Sequence, residues 1–182
     1  MEAGLLNRKV IANDVNPLSK IITRPRFFIP DLRSVSERLQ EIPVDESLEP
    51  NIDLSMFFHK KTLEELTSLK KYLEDRRNKK KEDEIDSWIR MVTTNRLTGH
   101  SSGFFSVYTL PPNQAVSPES QKKINKKRNQ VPTYRDTKNI ILKKSKSLLR
   151  NITSEQKNIL RTVGSKAKFI SEDVRNTKKI KN

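Results

Sequence analysis

The sequence predicts an α/β fold of which only the margins are present, with a long helical segment between two short strands. Three observations predict it. Residues 8–14 (Arg8-Lys9-Val10-Ile11-Ala12-Asn13-Asp14) read as a short buried strand ending in polar groups, stopped by the Asn16-Pro17 turn. Residues 167–173 (Ala167-Lys168-Phe169-Ile170-Ser171-Glu172-Asp173) read as a second strand that again finishes in acids. Between them lies a mostly helical stretch, and only 33% of the 182 residues are hydrophobic, against ~45–50% in ordinary globular chains. A thin core with long solvated helices follows. The length suits one domain, or one incomplete domain, of ~100–200 residues.

Taken in order, Thr23 to Pro30 is an aromatic connector punctuated by Pro25 and Pro30. Asp31 caps a helix carrying Leu32, Val35 and Leu39, which Pro43 ends; residues 44–53 are an acidic loop. Thr62-Leu63-Glu64-Glu65 has the pattern of a capping box, opening a helix with Leu63, Leu66, Leu69 and Leu73 on one side. The charged run from Asp75 to Glu84 predicts an exposed turn or a frayed helix end. A second helix follows, with Ile85, Trp88, Ile89 and Val92 at i, i+3, i+4, i+7, forming an antiparallel pair with the first. Trp88 belongs to its core face, and Glu82, Asp83, Glu84 and Asp86 read as its solubilising start, not as metal ligands.

The segment from Thr98 to Gln114 differs in kind. It holds Gly99 and Gly103 among small polar residues, then a short aromatic strand (Phe104-Phe105-Ser106-Val107-Tyr108) and a Pro111-Pro112 stop. Such a loop suits close approach of backbone to a partner, or a structural crossover with positive φ at both glycines. Ser117-Pro118 then starts a basic helix with Lys122, Lys123, Lys126, Lys127 and Arg128, whose one aliphatic residue, Ile124, cannot make it a core helix. After Gln130-Val131-Pro132 another helix runs from about Arg135 to Arg150. A second capping box, Thr153-Ser154-Glu155-Gln156, opens a short helix that Gly164 ends, and the Lys-rich tail after Lys178 is frayed.

The formal charge is +15, and it is unevenly placed. Residues 1–120 carry 18 basic and 18 acidic side chains, whereas residues 121–150 carry 11 basic side chains against Asp136 alone. A concentrated basic stretch favours polyanions, because each phosphate it neutralises releases counterions. A solvated helix face is the plainer reading of the same lysines. Cysteine is absent, excluding disulfides, thiolate zinc sites and a cysteine nucleophile; His59 and His100 are too few for a histidine metal triad. No apolar run approaches the ~18 residues of a membrane span, and Met1–Arg8 has only Leu5-Leu6 as an apolar pair, which predicts no signal peptide and a cytoplasmic protein. No phosphate-binding glycine motif or nucleophile elbow is present.

In open α/β sheets, ligands bind outside the carboxyl ends of the strands, where an acid can hold ribose hydroxyls. Asp14 and Asp173 fit such positions, and equally fit turn-capping aspartates.

The run from Arg8 to Ser19 resembles the second motif of S-adenosylmethionine-dependent DNA amino-methyltransferases. The longer run from Trp88-Ile89-Arg90-Met91-Val92 through Asn95-Arg96-Leu97-Thr98-Gly99-His100 to Ser117 resembles the central insertion of site-specific DNA methylases, enzymes of restriction–modification type. The similarity continues through Gln121, Ile124-Asn125, Arg128, Pro132, Tyr134-Arg135 and Lys144-Ser145-Lys146-Ser147-Leu148-Leu149. The resemblance implies an incomplete Rossmann-like methyltransferase domain with a large, mainly α-helical insertion. Residues 1–30 would be part of the cofactor domain, 31–150 the DNA-facing insertion, and 151–182 the return to the α/β domain. It also implies S-adenosylmethionine as cofactor, DNA as partner, and methyl transfer to adenine N6 or cytosine N4. Asp14 would hold the cofactor ribose, and Asp173 would mark the third motif, near the cofactor adenine. Lys122, Lys126, Arg128, Lys143, Lys144 and Lys146 are the candidate phosphate neighbours; Asn113, Gln114 and Asn125 have base-edge chemistry.

Two departures from the family pattern matter. The glycine-rich loop should precede residue 1, and the [DSN]-P-P-[YFW] motif that holds a flipped base should follow Asp173. Leu110-Pro111-Pro112-Asn113 is no substitute. The chain alone is therefore expected to be inactive, as a truncated gene product, a trimmed fragment, or one half of a split enzyme whose second polypeptide supplies the missing motifs. The alternatives are a non-enzymatic basic nucleic-acid-binding protein and a helical interaction module solubilised by its lysines.

Overall fold

The computed structural model describes residues 1–110 and 116–176. A short helix α1 (Glu2–Leu5) leads to β1 (Ile11–Asn13), then α2 (Leu18–Thr23) and a 3-10 turn (Arg24–Phe27). Five longer helices follow: α3 (Leu32–Glu41), α4 (Lys60–Asn78), α5 (Glu84–Thr94), α6 (Pro118–Arg128) and α7 (Thr137–Leu149). Helix α8 (Ser154–Lys166) then leads to β2 (Lys168–Ile170) and a last 3-10 turn (Val174–Asn176).

The two strands pair with each other in parallel, Ile11 opposite Lys168, Ala12 opposite Phe169 and Asn13 opposite Ile170. The ladder extends at both ends, with Lys168 N donating to Val10 O at 3.1 Å and Asp14 N to Ile170 O at 3.3 Å. Parallel pairing requires a crossover between the strands, and here the whole helical segment is that crossover. The carboxyl ends of both strands, with Asp14 and Asp173 just beyond them, therefore lie on one side.

One apolar cluster joins the segments. Val35, Leu39, Leu69, Leu73, Trp88, Ile89, Met91, Val92 and Ile141 fill its centre, and Phe27, Leu160 and Val163 extend it toward the strands. The 3-10 turn carrying Phe27 sits between two glycines. A Cβ on Gly4 would lie 2.8 Å from the Phe27 ring, and one on Gly164 would lie 2.6 Å from Phe27 Cβ. Gly164 thus does not end its helix as the sequence predicts. Helix α8 continues to Lys166, and Gly164 has no Cβ because Phe27 occupies that space.

The capping pattern at Thr62–Glu65 is also corrected. Helix α4 starts at Lys60, with His59 Nδ1 accepting from Lys61 N at 3.2 Å. Thr62 and Glu65 are instead buried one turn inside and hold the entry to α7. Thr62 Oγ1 donates to Arg135 O at 2.9 Å and accepts from Arg135 N at 2.8 Å. Glu65 accepts from Tyr134 Oη at 2.7 Å, Thr137 N at 2.9 Å and Thr137 Oγ1 at 2.8 Å. Burial, then the Glu65 carboxylate, raises the Tyr134 phenol, so it stays the donor of that pair. The box at Thr153–Gln156 forms as expected.

The charged run 75–84 holds the end of α4, which continues through Asn78, and the turn before α5. Arginines on both helices reach across the turn: Arg77 Nε reaches Glu82 at 2.8 Å, Arg76 Nε reaches Asp86 at 2.5 Å, and Arg90 Nη2 reaches Leu73 O at 3.1 Å. These contacts pair residues symmetrically about the turn, the mark of two antiparallel helices. Asp86 is not a solubilising acid. Its side chain is fully buried, bonded to Arg38 and Arg76, while Asp83 caps α5 and binds Arg38 Nη2 at 2.9 Å. A buried carboxylate persists only when paired and hydrogen-bonded, and two guanidinium groups meet that need here.

Candidate functional site

At the carboxyl ends of β1 and β2 a cleft of about 380 Å³ is lined by Asn13, Asp14, Ser19, Lys20, Thr23 and Ile170, among others. The Asn16-Pro17 turn shapes it, and Asp14 is part of that turn. Its carboxylate accepts from Asn16 N at 2.9 Å and from Ser19 Oγ at 2.5 Å. The Ser19 hydroxyl, then the Asn16 amide, holds Asp14 below the ordinary carboxylate range, so it is ionised and acceptor-only at neutral pH. Both sequence readings of Asp14 therefore coexist. It caps its turn, and it stands among the residues that line the cleft. Asp173 is differently placed: its carboxylate is ion-paired to Arg175 Nη2 at 2.6 Å, and it does not line the cleft. The Arg175 side chain, then the Arg175 amide, lowers its pKa.

The basic candidates divide by helix. Helix α6 begins as predicted, with Ser117 Oγ accepting from Ser120 N at 3.2 Å. Lys122, Lys123, Lys126 and Lys127 are exposed along its outer face. Its inner face is polar instead of apolar. Gln121 is fully buried, and its Nε2 donates to Tyr108 O at 3.0 Å and to Asn125 Oδ1 at 2.7 Å. Gln130 Nε2 donates to the same two acceptors at 2.9 and 2.8 Å. Asn125 Nδ2 closes the network on Met56 O at 2.8 Å. Asn125 is therefore corrected from base reader to internal bracket, because both ends of its amide are engaged. As its composition predicts, α6 is not a core helix: Gln121 is its one buried residue, and amides seat it where apolar residues are lacking. Arg128 lies over the Tyr108 ring at 3.7 Å. Asn113 and Gln114 lie outside the described residues.

On α7, Lys143 and Lys146 are exposed opposite the buried Ile141 and Ser145. Lys144 is half-buried at the flank. Burial lowers its pKa, and the nearby charges of Arg96 and Arg26 lower it further.

The segment after α5 is not a strand. Gly99 and Tyr108 form an isolated bridge, Thr109 N donates to Gly99 O at 3.1 Å, and Gly99 N donates to Ser106 Oγ at 3.2 Å. Neither glycine has positive φ. Gly99 is demanded by space instead: a Cβ there would lie 2.5 Å from the Phe104 ring. The guanidinium of Arg96 covers that ring at 4.3 Å, and its Nε is buried with no hydrogen-bond partner among the described residues. Arg135 meets the same loop, its Nη1 donating to Ser102 O at 3.4 Å and its Nε likewise buried and unpartnered. Sequence reasoning missed Arg96 and Arg26 as candidates. The available signal was the absence of any acid from Ser87 to Pro118, which leaves Arg96 without a nearby counterion.

Among the described residues there is no grouping of His, Cys, Asp and Glu suited to a metal ion, and no helix is long and apolar enough to cross a membrane. No family model, curated protein or solved structure matches this chain.

Proposed function

We propose that this chain is part of a DNA amino-methyltransferase, combining one side of an α/β cofactor domain with a helical DNA-binding crossover, in the cytoplasm. The observation that carries the reading is the parallel pairing of β1 with β2 across the whole helical segment, which sets an ionised Asp14 beside a cleft at the strands' carboxyl ends. S-adenosylmethionine would supply the methyl group. Asp14 is suited to accept hydrogen bonds from its ribose hydroxyls, and the backbone around Asp173 lies at the neighbouring strand end. The lysines on the outer faces of α6 and α7 are suited to backbone phosphates.

The test is to read the coding DNA on either side of this frame. A glycine-rich strand–loop–helix before it and an S-P-P-F-like motif after it are the expected result. Unrelated flanking sequence would remove the chemistry from the proposal.

One observation favours a second reading, a non-enzymatic basic nucleic-acid-binding protein. The amide nitrogens of Gln121, Asn125 and Gln130 are spent inside the fold, which leaves phosphate-directed lysines on the outer face of α6. That protein would bind DNA in a salt-sensitive manner with little sequence preference, and S-adenosylmethionine would not alter binding.

A further inference from the structure

We propose that Arg26, Arg96 and Lys144 form a cradle for one phosphate group, with Arg96 as its principal donor. Arg26 lies in the 3-10 turn Arg24–Phe27 and Lys144 on the flank of α7, both of which pack on α5, and Arg96 lies in the turn just after α5. All three are half-buried, and Arg26 and Arg96 lie close enough to Lys144 for their charges to act on its ammonium group. None of them has an acidic partner among the described residues, although Arg38, Arg76, Arg77, Arg90 and Arg161 each do. Like charges gathered at a partly desolvated place repel one another, and a buried guanidinium Nε with no acceptor forfeits a hydrogen bond. The repulsion is removed by one multivalent anion.

The geometry at Arg96 suits phosphate in particular. The guanidinium plane is stacked on Phe104, whose position depends on the missing Cβ of Gly99. A stacked guanidinium keeps its in-plane N–H groups at the edge, and that planar fork matches two oxygens of a phosphate. Lys144 adds a point charge. The phosphate has two sources, a nucleic-acid backbone or a free anion. The backbone source rests on the DNA-binding reading above, whereas the cradle itself does not.

Two measurements on the full chain test it. Thermal unfolding is followed in millimolar inorganic phosphate and in chloride of matched ionic strength. Binding of a short duplex is measured for the unaltered chain, for Arg96→Ala, and for Lys144→Gln as the variant less disturbing to packing. Ligand binding to the folded state raises Tm by mass action, so a phosphate-specific rise that Arg96→Ala abolishes is expected. A loss of about tenfold in duplex affinity, with a salt slope smaller by about one, is expected with it. A phosphate-specific rise with unchanged duplex affinity supports the cradle, assigns it to a free anion, and counts separately against the DNA reading. Weaker duplex binding by either folded variant without that rise supports it and assigns it to backbone phosphate. No phosphate-specific rise together with unchanged duplex affinity in the folded variants overturns it.

Discussion

Trp88 Nε1 donates a hydrogen bond to Ser145 Oγ at 3.0 Å, and both side chains are buried. The contact fastens α5 to α7 across 57 residues, and it joins two of the segments on which the methyltransferase resemblance rests. Replacing Ser145 by alanine leaves the indole N–H buried without an acceptor. A loss of about 1–3 kcal/mol in urea-induced unfolding is expected. Unfolding at an unchanged midpoint would mean that the indole is satisfied elsewhere.

Asp86 anchors the junction of α3, α4 and α5 through Arg38 and Arg76. Asp86→Asn keeps the shape and removes the charge, leaving two guanidinium groups sharing a site without their central anion. Removing one partner of a buried ion pair costs about 3–5 kcal/mol, so this variant is expected to be the most destabilised of those considered. Stability within a few tenths of a kcal/mol of the parent would disprove the role.

Acid should find the same junction. Burial pushes the Asp83 carboxyl up, but hydrogen bonds from Arg38 and the Asp86 amide, with the Arg38 and Arg76 charges, outweigh it and hold it below the ordinary range. Glu82 is lowered in the same way by Arg77 and Arg90 against its burial. A depressed carboxylate contributes stability above its unfolded value, about 3.9 for Asp and 4.3 for Glu, and loses that contribution as pH falls through the folded value. Unfolding free energy is therefore expected to be level from about pH 7 to 5 and to fall below about pH 4. Asp83→Asn should reduce that slope. An identical slope in the variant would assign acid sensitivity to other groups.

Much of the fold was legible in the sequence where apolar periodicity or a cap fixed it. Val35 and Leu39, the Trp88 face, the Ser117 and Thr153 starts and both strands are where residue type predicts them. What was not legible was polar residues acting as core. Gln121 and Asn125 look like solvent-facing positions on a lysine-rich helix, and only the Tyr108 and Met56 carbonyls, distant in the chain, turn them inward. Thr62 and Glu65 have the spacing of a cap, and their true partners lie some 70 residues on. Asp86 hides in an acidic run because its arginines come from two other helices. Of the candidate site, Asp14 was readable from its place after a strand, whereas Arg96 needed Phe104 and Gly99 to be seen together.

Asn125 separates a structural role from a reading role. Asn125→Ala removes one of the two acceptors that Gln121 and Gln130 share and the donor to Met56 O, and is expected to cost about 1–3 kcal/mol. Under conditions where the variant is folded, its preference among duplex sequences should match that of the parent. A changed sequence preference at unchanged stability would restore Asn125 as a base contact.

The central claim is tested most directly by labelled methyl transfer. The chain, expressed together with the coding segments that flank it, is incubated with S-adenosylmethionine carrying a labelled methyl group and with duplex DNA, and the nucleosides are separated. Label in N6-methyladenine or N4-methylcytosine, strongly reduced by Asp14→Asn, is the expected result. Salt-sensitive DNA binding without any labelled base would contradict the methyltransferase assignment and leave a basic nucleic-acid-binding protein.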